Sequence, residues 1–148
     1  MSILKNIQIK DRYKIKHFIE ETSFCSIYSG IDLENSKQVS LSIYKASKIA
    51  RDDLDEDGNL RELGFLRLAL DGFPKLLGSG DFRHDLEQYR YIATEFIIGE
   101  SVLDRMKRTG PLDEFDAIQV GSKLIEIAHS LHSKNKCDSY MMLVFFAL

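Results

Sequence analysis

The sequence predicts an α+β domain: a five-stranded antiparallel sheet with one packed helix, followed by two further helices. Three observations predict it. Runs within residues 13–44 and 76–97 alternate with strand period, and residues 59–70 and 113–133 repeat apolar positions every three to four residues. Glycine, proline or polar clusters separate these runs. At 148 residues and 44% hydrophobic, the chain fits one modest domain with a real core.

The first strand covers residues 13–19, where Tyr13, Ile15, His17 and Ile19 alternate with Lys14, Lys16 and Phe18. A polar turn leads to a second strand at 26–31. Leu33-Glu34-Asn35-Ser36 reads as a hairpin turn before a third strand at 38–44, where Val39, Leu41 and Ile43 share a face. The acidic stretch RDDLDEDG (51–58) reads as a loop or a frayed helix start. A helix follows from Asn59 through Leu60, Leu63, Leu66 and Leu70, with Gly64 inside it costing about 1 kcal/mol against alanine. Gly72 and Pro74 end it. Leu76, Leu77 and Phe82 mark a fourth strand, RHDLEQ (83–88) a polar turn, and Tyr89–Ile97 a strongly apolar fifth. After Gly99 comes a short helix, 101–108, closed by Thr109-Gly110-Pro111. Asp113 caps a longer helix, with Asp116 at the reach-back position of a capping box. Its apolar stripe is Ala117, Val120, Gly121, Leu124, Ile127, Ala128 and Leu131.

Composition narrows the function classes. A net charge of −3 and no basic face argue against nucleic-acid binding. Cys25 and Cys137 stand far apart with no CxxC and no histidine at metal spacing, which argues against a disulfide scaffold or a zinc site. The opening MSILKNIQIK lacks the apolar core of a signal peptide, and MMLVFFAL (141–148) is far shorter than the roughly 20 residues of a membrane span. A cytoplasmic location is the expectation.

Six stretches carry a resemblance: IEETSFCSIYSG, VSLSIYK, LRELGFLRL, GFPKLLGSG, YRYIATEFIIGESVLDRMK and GPLDEFDAIQVGSKLIEIAHSLHSKN. Their order and spacing resemble the small lobe and first helices of a eukaryotic-type protein kinase, in a truncated, degenerate, pseudokinase-like form. The resemblance implies a small lobe over 1–97, a hinge exit and two helices of an incomplete large lobe over 98–135, and a divergent apolar tail over 136–148.

It also implies a vestigial nucleotide pocket. Ile19 and Ile27 fall where two apolar side chains sandwich an adenine, with Phe24 at the loop tip. The family's three loop glycines are replaced by Glu20, Thr22 and Cys25, although glycine is what lets backbone drape over phosphates. Glu20 and Glu21 would repel an anion by on the order of 1 kcal/mol each. Ser42 holds the position of the phosphate-binding lysine, and strand parity turns Lys45 to the opposite face. Glu62 holds the position of the helix glutamate, solvated or hydrogen-bonded rather than paired with a lysine. Thr94 takes the gatekeeper position, and the backbone of Glu95 and Ile97 would meet an adenine edge.

The family continues past its long helix into H-R-D and D-F-G, whereas this sequence reads KCDSYMMLVFFAL, with Asp138 out of register and His129 and His132 as helix residues. The resemblance therefore implies no catalytic residue, no metal ligand, no expected cofactor beyond weak ATP, and a binding or regulatory module. The alternative is the ATP-binding portion of a serine/threonine protein kinase. An exposed apolar face on helix 113–133, together with the tail, implies a protein partner, self-association, or a truncated product with a non-native tail.

Overall fold

The computed structural model describes residues 4–134; the expectations for Cys137, Asp138 and the tail lie outside them. The described residues form two compact units, one of residues 4–67 and 74–96, the other of 68–73 and 97–134.

The first unit is one antiparallel sheet of six strands: β1 (Gln8–Ile9), β2 (Tyr13–Glu21), β3 (Ser26–Asp32), β4 (Lys37–Lys45), β5 (Leu76–His84) and β6 (Glu87–Glu95), in the order β1-β2-β3-β4-β6-β5. The expected five strands are thus six. The additional β1 is two residues long, too short to show a period, and turns back on β2 through Lys10 and Asp11, both with positive φ. The sheet curls toward a barrel. Strands β2 and β5 lie apart in the strand order, yet the Tyr13 hydroxyl donates to the carbonyl of Leu77 at 3.2 Å. Inside the curl lie Leu4, Ile9, Tyr13, Ile15, Tyr28, Val39, Leu41, Ile43, Tyr91 and Ala93. Each fully buried large apolar side chain stabilises the fold by about 1.5–3 kcal/mol. Gly30 is required here, because a Cβ would stand 2.7 Å from the Leu41 side chain and 2.9 Å from the Lys14 carbonyl.

The boundaries on either side of β6 differ from the sequence reading. The turn expected over 83–88 shrinks to Asp85 and Leu86, both with positive φ, which is the tight hairpin turn that matches strand twist. Strand β6 ends at Glu95, so Ile97 lies beyond it.

The single packed helix, α1 (Arg61–Leu66), is six residues rather than the expected twelve. Ala69 and Gly72 take positive φ just beyond it, which an α-helix cannot continue through. Leu60, Leu63 and Leu66 pack with Tyr44 and Ile92 in a second cluster on the outer face of the sheet. Two short 3-10 turns, Ala46–Lys48 and Arg51–Asp53, precede it.

In the second unit, helix α2 (Val102–Thr109) starts at Ser101, whose hydroxyl accepts from the Asp104 N–H at 3.1 Å, and stops at Gly110 with φ 88°. Helix α3 (Glu114–Ser133) is capped by Asp113, which accepts from the Asp116 N–H at 2.8 Å. The Asp116 carboxylate does not reach back; it bonds to Arg105 of α2. Ile127 and Leu131 are buried, while Phe115, Ile118 and Ile125 of α3 are exposed. His129 and His132 stand on the exposed surface of α3.

Candidate functional site

The outer face of the sheet brings three of the singled-out residues into adjacent rows. Ser42 pairs with Ile27 on one side and Ile92 on the other, and Ser40 pairs with Ser29 and with Thr94. Ile27, Ser42, Tyr44 and Thr94 therefore share this face, because side chains alternate along a strand and align across it. Val39, Leu41 and Ile43 point to the interior instead. Lys45 takes the parity of that interior face and forms an ion pair with Glu87 at 3.0 Å, so it does not substitute for a lysine at position 42.

Glu62 comes to this face from the first turn of α1, and its partner is Tyr44. The Tyr44 hydroxyl donates to Glu62 Oε2. Tyr44 is 5% exposed, two residues on from Ser42 and on the same face. Among the described residues, the groups that bear on the Glu62 carboxyl include no cation. Burial pushes this carboxyl above the usual range, and the hydrogen bond from Tyr44 only partly opposes it. Burial and the neighbouring carboxylate push the Tyr44 phenol up as well. Cys25 flanks the pair. It is a free, half-buried thiol, raised by burial against the opposing hydrogen bond from Thr22.

The β2–β3 connection is organised by Thr22. Its hydroxyl donates to the Cys25 carbonyl at 3.1 Å and accepts from the N–H groups of Phe24 at 3.2 Å and Cys25 at 3.0 Å. The Thr22 N–H donates to the same carbonyl at 2.9 Å. Three backbone donors of the turn are thus bonded within it, whereas a phosphate cradle needs them turned toward the ligand. A register shift between Phe18 and Glu20 puts Ile19 in a bulge, 48% exposed, and sets Glu20 directly opposite Ile27. The earlier register shift, between Ile15 and His17, puts Phe18 with Tyr28 on the other face, their rings edge to face at 5.5 Å. The alternation through His17 and Ile19 breaks at these two bulges.

At the far end of β6, Thr94 is 9% exposed. Glu95 pairs with Val39 in the sheet, its N–H donates to the Lys75 carbonyl at 2.9 Å, and its Oε1 accepts from the Lys75 N–H at 2.9 Å. Ile97 belongs to the second unit and is 37% exposed. The structure thus gathers Ile27, Ser42, Glu62 and Thr94 on the outer face, whereas Ile19 stands in a bulge and Ile97 outside this unit. No cluster of three or more metal-ligating side chains occurs among the described residues.

Sequence reasoning missed Tyr44 and the turn-organising bonds of Thr22. The parity that excluded Lys45 also places Tyr44 beside Ser42, and a threonine opening a tight turn signals a side-chain bond to the backbone.

No protein-family model matches the sequence. Among solved structures, the chain is similar to the Rad53 kinase, residues 1–466, in complex with AMP-PNP. The TM-score is 0.64 and the identity 22%. The match covers 82% of this chain and 30% of that one. The fold is kinase-like. The likeness is one of fold, and it spans less than a third of the solved chain. No helix among the described residues is long and apolar enough to cross a membrane.

Proposed function

We propose that this kinase-like domain is a binding or regulatory module without phosphotransferase activity, its nucleotide site vestigial. The observation that carries the reading is the Tyr44–Glu62 hydrogen bond beside Ser42, where kinases hold phosphates with a lysine paired to the helix glutamate. A charge-assisted bond contributes about 1.5–3 kcal/mol, so its loss weakens nucleotide binding roughly ten- to a hundredfold. The internally bonded turn at Thr22 and Glu20 opposite Ile27 act in the same direction.

Calorimetric titration and thermal shift with Mg-ATP test it. The expected result is no saturable heat and no appreciable thermal shift below about 1 mM ATP, since stabilisation grows as RT ln(1 + [L]/Kd) and is small until the ligand concentration exceeds its Kd. Saturable heat with a rise in melting temperature at sub-millimolar ATP would overturn the proposal. That outcome would favour the second reading, the ATP-binding portion of a serine/threonine kinase. The observation on that side is the strand β6, continuously paired with β4 from Tyr89 to Glu95, because hinge contacts to adenine are made by backbone.

A further inference from the structure

We propose that Glu62, hydrogen-bonded by Tyr44 with no cation beside it, is a latch whose docking holds α1 on the sheet most firmly while its carboxyl is protonated. It concerns the hold on a helix and not the handling of nucleotide, so it stands or falls separately from the function proposed above.

A six-residue helix cannot persist alone, because the nucleation cost is spread over too few bonds. Its position is set by what it touches. On the sheet side these contacts are the apolar cluster of Leu60, Leu63 and Leu66 with Tyr44 and Ile92, and the polar bond from Tyr44 to Glu62. Tyr44 takes part in both, its ring in the cluster and its hydroxyl on the carboxyl.

The titratable groups facing Glu62 are Tyr44 from β4 and Cys25 from the turn before β3, both uncharged at neutral pH and raised further by burial. An ionised Glu62 is therefore a half-buried anion with a neutral donor as its partner. Such an anion is paired less well than it is in water. The neutral acid keeps an oxygen to accept from Tyr44 and carries no charge to desolvate. The direction agrees with the raised carboxyl. Protons are bound more tightly in the docked state, so docking strengthens as pH falls and weakens as pH rises above the ordinary glutamate range.

Amide hydrogen exchange of residues 61–66 in the full chain reads the latch, expressed as protection relative to the intrinsic rate at each pH. In the wild type, protection is expected to fall roughly tenfold or more between about pH 5 and about pH 8. Glu62→Gln keeps an acceptor for Tyr44 and cannot ionise, so its protection stays level. Tyr44→Phe lowers protection of α1 by roughly ten- to a hundredfold at either pH, while core amides of β4 and β6 remain protected. The proposal is overturned by an identical pH response in wild type and Glu62→Gln, or by unaltered α1 protection in a folded Tyr44→Phe. Should Tyr44→Phe fail to fold, the comparison of wild type with Glu62→Gln decides.

Discussion

The two ends of the β3–β4 hairpin each hold a carboxylate, and they treat it in opposite ways. At the turn end, Asp32 is fully buried and accepts two bonds from Arg12, at 3.3 and 3.1 Å, plus one each from the Glu34 N–H and the Asn35 amide. The Arg12 guanidinium holds its carboxyl below the usual range, against the opposing effect of burial. At the other end, Glu62 meets a phenol, and burial raises it. The partners differ: four donors with a full positive charge outweigh desolvation at Asp32, and one neutral hydroxyl does not at Glu62. Linkage turns this into opposite pH dependences. Asp32 stabilises the fold above its ordinary pKa of 3.8, and that stability is lost as pH falls. Glu62 does the reverse, and stability is lost as pH rises from 4.5 toward the raised value.

The largest effect is expected from removing what the two ends share. Leu41 lies midway along β4, fully buried among Tyr28, Val39 and Ala93. Leu41→Ala should lower unfolding free energy by about 2–5 kcal/mol in urea melts. Both pH dependences should keep their sign, because neither carboxylate touches the cavity. A loss below about 1 kcal/mol would mean that the interior of the curl is not the main source of stability.

Next in size is a change that should make the Glu62 end behave like the Asp32 end. Ser42→Lys places an ammonium on the outer face that Tyr44 and Glu62 share. A charge-assisted bond to the carboxylate, about 1.5–3 kcal/mol before desolvation of the lysine, should pull the Glu62 pKa down. The fall in melting temperature between about pH 5 and about pH 8 should then shrink or reverse relative to wild type. A folded Ser42→Lys protein with the wild-type pH profile would show that position 42 does not command Glu62.

These ends also differ in how far the sequence could be read. The hairpin turn at 33–36 was legible, since Leu33-Glu34-Asn35-Ser36 carries its own turn chemistry and Asp32 caps it locally. The outer face was half legible. Strand parity correctly set Ser42 apart from Val39, Leu41 and Ile43, and sent Lys45 elsewhere, because alternation is a local property of one strand. The partner of Glu62 was not legible, because it depends on how α1 lies across β4, eighteen residues away in sequence. The bulge at Ile19 escaped for a related reason. An extra residue in one strand is defined only against its neighbour, and the local pattern of β2 reads as unbroken alternation. Helix α1 was overextended, since the leucine repeat continues to Leu70 while Ala69 already has a positive φ.

The smallest expected effect tests the turn end alone. Asp32→Asn keeps an oxygen for the Glu34 N–H but surrenders the charge that faces Arg12. About a third of the Arg12 side chain remains open to water, so solvent screens the pair and the loss near neutral pH should be modest. The informative readout is the acid limb. Wild type should lose stability as pH falls below about 3.8, in part because Asp32 must take up a proton that its folded surroundings resist. Asp55 and Glu100 are also held low and contribute to the same limb, so only the difference between the two proteins isolates Asp32. The melting temperature of Asp32→Asn should therefore drop less than that of wild type between about pH 6 and about pH 3. Equal drops would place the acid sensitivity at Asp55 and Glu100, and would remove the cation at Arg12 as the reason the two ends of the hairpin differ.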